Sequence, residues 1–443
     1  MRKRTVKILK IIAIVLVVLS LIYAIAVGVS GAKLRRAYAD LKNDNRPMRQ
    51  AEVIPPEVPD SENAALLYES AALLLKAQPA PEGSLLVYLG GLSDKFIKET
   101  IDPDKLAELQ QLIEQDVVTQ ALSIVEQGTQ RRSYRFDHDY NAGINISRLN
   151  LSHLRRLTFI LSAKARIEAQ AGNPDNAWNM ARIQLRLADA MKNEPIIVPQ
   201  LVRIAIIRMA CRTIQELCAI APPNEQQYRS VEDLLAGLDE IAPMVRAIDG
   251  ERLLIGEWAF NLPKNELYKI IPGLDLSGIK RRFFIFLTSL KPLFLADRAA
   301  YMRYMHKSAQ FFEDPNSHVQ ADLKEEERHE KLHMQTSILA PAIFRVKEIH
   351  CEMTAELRIT RAGLALLQHK QSQDAFPDTL EALKLKPSDT LDPFSAEPLR
   401  YKAQGQGFIL YSIGLDEKDN NGSPKEKKQK TDWDIVWSYT GGS

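Results

Sequence analysis

The longest uninterrupted apolar stretch stands near the start of the chain. From Ile11 to Ala32 no residue is charged. At 1.5 Å per residue a helix of this length reaches about 33 Å, enough for a hydrocarbon layer of ~30 Å. The pattern predicts a transmembrane helix. Ala24-Ile25-Ala26 has the small-x-small form that a signal peptidase reads, but the apolar run continues past it to Ala32. An uncleaved anchor is therefore expected. Residues 33–43 predict a short juxtamembrane helix. Pro47, Pro55, Pro56 and Pro59 then predict an extended linker, because proline disfavours helix at its own position and at its predecessor. Asp60 or Ser61 is placed to cap a helix over 64–77.

From there to about residue 370 the apolar positions recur with helical spacing. Leu154, Leu157, Leu161 and Ala165 form one stripe, and Trp178, Ala181, Leu185 and Ala188 a second. Between them Gly172 is placed to end one helix, Asn173 to cap the next, and Pro174 to occupy its first position. This predicts a tight helical hairpin that resembles one tetratricopeptide-like unit, with no second copy at a fixed period. Ile204, Ile207, Cys211, Ile214 and Cys218 hold a third stripe. The run from Phe283 to Leu295 is apolar and aromatic but is interrupted by Lys291 and Pro292. It is too short to span a bilayer and predicts a buried core helix, with contact at a membrane surface as the sharper alternative. After residue 370 glycine, proline and aspartate become frequent. Strands are expected over 399–402, 407–412 and 434–437, and a polar loop over 416–430 that gathers Lys425, Lys427, Lys428 and Lys430.

Charge fixes the expected topology. The net charge is +2, but eight basic residues fall among the first 36 positions with no acid between them, leaving −6 on the remainder. Five of the eight precede the apolar run, which predicts a cytoplasmic N-terminus and a body outside the inner membrane. A mildly acidic body argues against nucleic-acid binding. Three cysteines in 443 residues exclude a disulfide scaffold. Cys211 and Cys218 read as core packing, and Cys351 has no evident partner.

The C-terminal quarter carries a resemblance. Arg361-Ala362-Gly363-Leu364 leads to Phe376-Pro377-Asp378, then Asp392-Pro393-Phe394, Pro398-Leu399-Arg400-Tyr401, Tyr411-Ser412-Ile413-Gly414 and Asp432-Trp433-Asp434-Ile435. In this order the motifs resemble the globular part of the major pseudopilin of type II secretion systems. The whole chain also resembles a group of membrane-anchored proteins of planctomycete-like bacteria. That second likeness rests on Asn63, Ala64, Ala65 and Tyr68 early, and on Glu194-Pro195 with Leu201-Val202-Arg203 in mid-chain. The resemblance implies a pilin-like α+β module in which calcium is held by the Ser412 carbonyl with Asp416 and Asp432 or Asp434, Asp419 and Asn420 being further candidates. The pilin processing signal is absent: no Gly-Phe precedes the apolar run, and the first acid is Asp40. Processing and polymerisation as a pilin are not expected.

Two other constellations invite chemistry. His329-Glu330-Lys331-Leu332-His333 matches HExxH, which on a helix sets two imidazoles for zinc and a glutamate as general base. The same face holds Asp322, Glu325, Glu326, Thr336 and Ser337, which reads as a solvated surface rather than a walled cleft. Glu348 or Glu352 is the available third ligand if the chain turns near Pro341. Asp137-His138-Asp139, near Arg131, Arg132 and Arg135, reads as a loop ion-pair cluster.

The expected fold is mainly α. It comprises a cytoplasmic tail over 1–10, an anchor over 11–32, a juxtamembrane helix and linker over 33–60, a helical extracytoplasmic domain over 61–350, and a small α+β pilin-like module over 351–443. The expected function is non-catalytic binding or scaffolding in the cell envelope, with the membrane and other envelope proteins as partners and no nucleic acid. The alternatives are a membrane-tethered zinc metallopeptidase using His329, Glu330 and His333, and a minor pilin-like component of a secretion apparatus.

Overall fold

The computed structural model describes residues 2–98, 102–131, 133–148, 151–263, 266, 278–314, 335–340, 343–425 and 432–441. In chain order its helices are α1 (Arg2–Asn43), α2 (Ala64–Lys76), α3 (Leu85–Lys98), α4 (Pro103–Ile113), α5 (Asp116–Thr129), α6 (Ser152–Gln170) and α7 (Pro174–Ala190). They continue with α8 (Ile197–Ile220), α9 (Glu225–Ala236), α10 (Ala242–Gly250), α11 (Glu257–Asn261), α12 (Gly278–Ser289), α13 (Lys291–Glu313) and α14 (Ile343–Gln373). The strands are β1 (Pro79–Ala80), β2 (Gly83–Ser84), β3 (Arg400–Gln404), β4 (Gly407–Ser412) and β5 (Ile435–Tyr439). The chain divides into two units. One comprises Met1–Ile54, Asp139–Arg148 and Ile248–Ile343; the other comprises Pro55–His138, Leu149–Ala247 and Phe344–Ser443.

In the first unit α1 is one helix of 42 residues, so the apolar stretch and the expected juxtamembrane helix form a single rod. No proline interrupts it, and its first is Pro47, beyond its end. It is long and apolar enough to cross a membrane. Its C-terminal part is held by α13. Arg298 donates to the Tyr38 hydroxyl at 3.1 Å, and Asp44 accepts from His306 at 2.7 Å and from Gln310 at 2.8 Å. Arg46 also pairs with Glu313. The sequence offset between these partners stays between 260 and 267, so α1 and α13 run parallel. The Tyr38 hydroxyl donates to Glu257, which also pairs with Arg298. Burial, followed by the Glu257 carboxylate, pushes the Tyr38 phenol up to about 12.

A π-helical turn, Glu251–Gly256, leads into α11. A Cβ at Gly256 would lie 2.1 Å from a Tyr301 ring carbon, so only glycine admits that ring. Phe260 packs beside Tyr301 and Phe294, with ring centroids 5.6 and 5.8 Å away. The Asp297 carboxylate accepts from the backbone N–H groups of Gln335 and Thr336 at 2.7 and 2.9 Å. Thr336, read from the sequence as part of a solvated face, is buried and bonds Asp297 through its own hydroxyl.

The core reading of residues 283–295 is corrected. Pro292 occupies the first turn of α13, so the run is split between two helices. Phe283, Phe286 and Leu293 are 60%, 59% and 51% exposed.

The second unit stacks its helices in neighbouring pairs. α6 and α7 form the expected hairpin, with Gly172 at φ 80° in the turn and Pro174 in the first turn of α7. Asn173 holds the cap position, but its amide donates to Glu168 instead of capping the helix. The three apolar stripes are all buried. Between α6, α7 and α8 runs a buried polar seam in which the Gln184 amide N–H groups are paired and its Oε1 is not. Gln184 donates to the Thr158 carbonyl at 3.0 Å and to Ser162 at 2.7 Å, and Thr213 donates to Ser162 at 2.9 Å. Cys211 and Cys218 are buried and free, as the packing reading expects.

α14 runs straight through residue 350, where the sequence suggested a boundary. Arg208 of α8 pairs with Glu352 and Glu356 at 2.8 Å each. Arg358 and Arg361 pair with Asp239 at 2.9 Å and Glu232 at 2.7 Å. On α14 the Gly363 backbone lies against the Trp437 ring, where a Cβ would come within 1.9 Å. Trp437 belongs to the antiparallel sheet β3-β4-β5, registered by Tyr401↔Leu410 and Leu410↔Trp437. All three expected strands are present, β4 at its expected bounds and β3 and β5 shifted by one or two residues at their ends.

Candidate functional site

The site is built on α2 and the segment that follows α5, within the second unit. The cap of α2 is Asn63, not Asp60 or Ser61. Its side-chain oxygen accepts from the N–H groups of Ala65 at 3.1 Å and Arg135 at 3.0 Å, and its amide donates to the Arg135 carbonyl at 2.8 Å. One side chain thus ties the helix start to the strand-like segment 133–136. One turn on, Tyr68 lies over Gly128, where a Cβ would clash with its ring at 2.5 Å. Its ring leads a row in which Tyr68, Tyr134, Phe136 and His138 follow one another at 6.0, 4.8 and 5.5 Å.

Beside Tyr68 opens a cavity of about 400 Å³. Its walls include Pro55 and Pro56 of the linker, Tyr134, and the basic residues Arg131, Arg186 and Lys192. Two of these cations are committed. Arg131 donates to the Asp60 and Asn63 carbonyls, and Lys192 pairs with Asp189 at 3.0 Å. Arg186 has no carboxylate partner among the described residues, and the buried Tyr68 hydroxyl has no hydrogen-bond partner there. Burial pushes the Tyr68 phenol well above its usual range, so it stays a neutral donor. Arg186, a cation with no carboxylate partner, at the wall of a cavity that the buried Tyr68 also lines suits an anionic or strongly accepting group.

The mid-chain Glu194-Pro195 motif sits close by and is structural. Glu194 is buried, accepts from the Phe136 N–H at 3.4 Å and lies 4.0 Å from His138. Gln200 donates to the carbonyls of Met191 at 3.1 Å and Glu194 at 2.9 Å, closing the α7–α8 connection. Arg203 is buried and donates to the Ala188 carbonyl at 3.2 Å; burial pulls its guanidinium down to about 10. Among the described residues the expected ion-pair loop at 137–139 does not form as such. Asp137 is exposed, His138 turns to Glu194, and Asp139 accepts from the Asn141 N–H at 2.8 Å.

In the C-terminal loop the expected calcium residues are near one another, but their oxygens serve the backbone. Asp434 accepts from Gly422 N–H at 2.7 Å and Asn420 N–H at 3.3 Å. Asp416 accepts from Asp432 N–H at 2.8 Å and the Asn420 amide at 3.1 Å. Asp419 takes the Tyr411 hydroxyl at 3.0 Å and Asn421 N–H at 2.9 Å, while Asp432 lies 3.8 Å from Lys418. Ser412 is buried and donates to Asp392 at 2.9 Å. Calcium takes six to eight oxygens that converge on one point. Here the N–H groups of the loop occupy the carboxylate oxygens, and among the described residues no three acidic, His or Cys side chains converge as a metal site. The donor set of the described residues does not fit the ion.

His329, Glu330 and His333 lie outside the described residues, as do Lys427, Lys428 and Lys430. The two glutamates named as a third zinc ligand are engaged elsewhere, Glu348 with Arg345 at 2.6 Å and Glu352 with Arg208. Asn63 and Tyr68 stood out in the sequence only through a family likeness. Arg186 gave no signal, because nothing in its spacing sets it apart from Arg182, the other arginine of α7. No protein family model, curated protein or solved structure matches this chain.

Proposed function

We propose that this chain is a non-catalytic, membrane-anchored binding protein of the cell envelope. α1 anchors it in the inner membrane with its N-terminus in the cytoplasm, and the second unit offers the cavity beside Tyr68 to an acidic group of its partner. The observation that carries this reading is Arg186, with no carboxylate partner among the described residues, at the wall of the cavity that Tyr68 also lines. The basic flank of α1 supports the orientation. The calorimetric test titrates full-length protein with inorganic phosphate and with a glutamate-rich peptide. Saturable binding of at least one probe, weakened tenfold or more by Arg186→Ala and by Tyr68→Phe, is expected. Absence of saturable binding by both probes, or binding indifferent to both substitutions, overturns the reading.

The long helix α14 carrying a three-stranded antiparallel sheet supports a pilin-like module at the C-terminus, used here for packing and recognition and not for polymerisation. Elemental analysis of protein purified without chelators separates this function from a zinc peptidase. One zinc per chain, lost in His329→Ala, would replace it.

A further inference from the structure

Within the first unit, the exposed large apolar side chains outside α1 are gathered at one place. Ile279, Phe283, Phe286 and Leu293 are exposed by 84%, 60%, 59% and 51%. The three on α12 are spaced i, i+4 and i+7, which puts them on one face of the helix. Thr288, on the opposite side, is buried against the protein. Lys280 and Arg282, both exposed, stand at the two borders of the apolar face. This is the layout of a helix lying flat in a membrane interface, with apolar residues down and basic residues at headgroup level.

The height of α12 can be read from α1. A Cβ on Gly31 would lie 4.0 Å from a Leu295 methyl, and the two helices run parallel from there outward. Leu290 caps α13 five residues before Leu295. At 1.5 Å per residue it is therefore about 7.5 Å nearer the middle of the apolar stretch than Gly31 is. That level corresponds to about residue 26 of α1. Ala26 and Val27 are half-covered, which marks the same level, and the uncharged stretch continues from there to Ala32. The junction of α12 and α13 is thus set below the end of the apolar stretch, at a depth where no aqueous surface is available. Lys291, exposed at this junction, is long enough to reach back to the headgroups.

We propose that α12 is a second membrane-binding element: its Ile279-Phe283-Phe286 face, with Leu293, is embedded in the leaflet at which the apolar stretch of α1 ends, and Lys280 and Arg282 contact lipid phosphates. The inference rests on α1 being a membrane anchor. It turns a single tether into a two-point attachment, which limits rotation of the first unit about the axis of α1.

The test uses the full chain in vesicles of three parts zwitterionic to one part anionic phospholipid, with a nitroxide quencher on the acyl chains. An environment-sensitive fluorophore is placed by thiol chemistry in Leu16→Cys, Phe286→Cys, Ile279→Cys or Arg229→Cys. The native Cys211, Cys218 and Cys351 are buried and do not compete for the label. Leu16 reports the anchor and Arg229 the aqueous phase. The expected result is quenching at 286 and 279 of at least twofold over the Arg229 position, in company with quenching at Leu16. Quenching at Leu16 with 286 and 279 equal to the Arg229 position overturns the inference and leaves the anchor standing. No quenching at Leu16 removes the anchor, and the inference with it.

Discussion

Replacing Gly363 by alanine tests whether α14 and the C-terminal sheet share one core. In an exposed helix the change would stabilise by about 1 kcal/mol through backbone entropy and propensity. Here the added methyl would lie 1.9 Å from the Trp437 ring. Carbon–carbon contact needs about 3.5–4.0 Å, so the ring or the helix must retreat by roughly 1.6 Å or more. Trp437 has little room. It is 4% exposed, its strand is registered on β4 through Leu410, and Phe408 packs edge-on at 5.4 Å. Overpacking of this kind costs about 1–3 kcal/mol, and the upper end applies when the neighbour cannot turn away. Subtracting the propensity gain leaves a net loss of about 2 kcal/mol. For a unit of this size that lowers the melting temperature by roughly 4–8 °C. Thermal unfolding of the full chain gives the global number, and hydrogen exchange over residues 400–439 localises it. In Gly363→Ala/Trp437→Leu the smaller side chain should recover part of the loss, so the two changes should couple. A Gly363→Ala protein that melts higher than wild type, with unchanged exchange in the strands, would refute the packing.

Three further outcomes follow from buried polar groups. His350 of α14 is buried, and burial first, then the cations Lys347, Arg203 and Arg358, pulls its imidazole down to about 3. A histidine depressed in the folded state gives stability that is complete above its unfolded value near 6.5 and lost as pH falls, so about 2 kcal/mol should disappear between pH 7 and pH 5. Chemical denaturation at the two pH values measures this, and a His350→Asn protein should show a slope flatter by that amount. Asp434→Ala strands the N–H groups of Gly422 and Asn420, and should cost about 2–4 kcal/mol equally in calcium and in chelator; a loss confined to calcium buffer would show that the ion, not the backbone, is what the carboxylate serves. Asn63→Ala removes three hydrogen bonds and should cost about 2–3 kcal/mol, whereas Tyr68→Phe should stay within roughly 0.5 kcal/mol because its hydroxyl has no protein partner to lose. Denaturant midpoints of the two proteins decide the contrast, and equal losses would place a partner on the Tyr68 hydroxyl.

What the sequence made legible was local and periodic. The apolar run of α1, the α6–α7 hairpin and strand β4 each declare themselves within 6 to 42 residues, because one face or one length must satisfy a simple packing rule. The errors lie where a distant residue decides. Asp60 and Ser61 are competent caps, but Asn63 wins because its side chain also reaches both backbone groups of Arg135, 72 residues away. The aromatic run after Phe283 looked like core because its composition is that of core. Its exposure follows from Pro292, which starts a separate helix, and from the side of α12 that the protein covers.

The cavity illustrates the harder limit. A site made of Tyr68, Arg131 and Arg186 draws on three helices or their flanks, and no spacing in the chain relates them. Even a complete catalogue of cations would not separate Arg186 from Arg131 or Lys192, since all three line the same wall. What separates them is the partner each has found: a pair of carbonyls for Arg131, Asp189 for Lys192, and no carboxylate among the described residues for Arg186. The same accounting works against the calcium reading, where a sequence rich in Asp and Asn invites a cation and the hydrogen bonds assign those oxygens to the loop itself. Function in this chain is therefore sought in what the fold leaves unsatisfied: a phenol, a guanidinium, and an exposed apolar helix face.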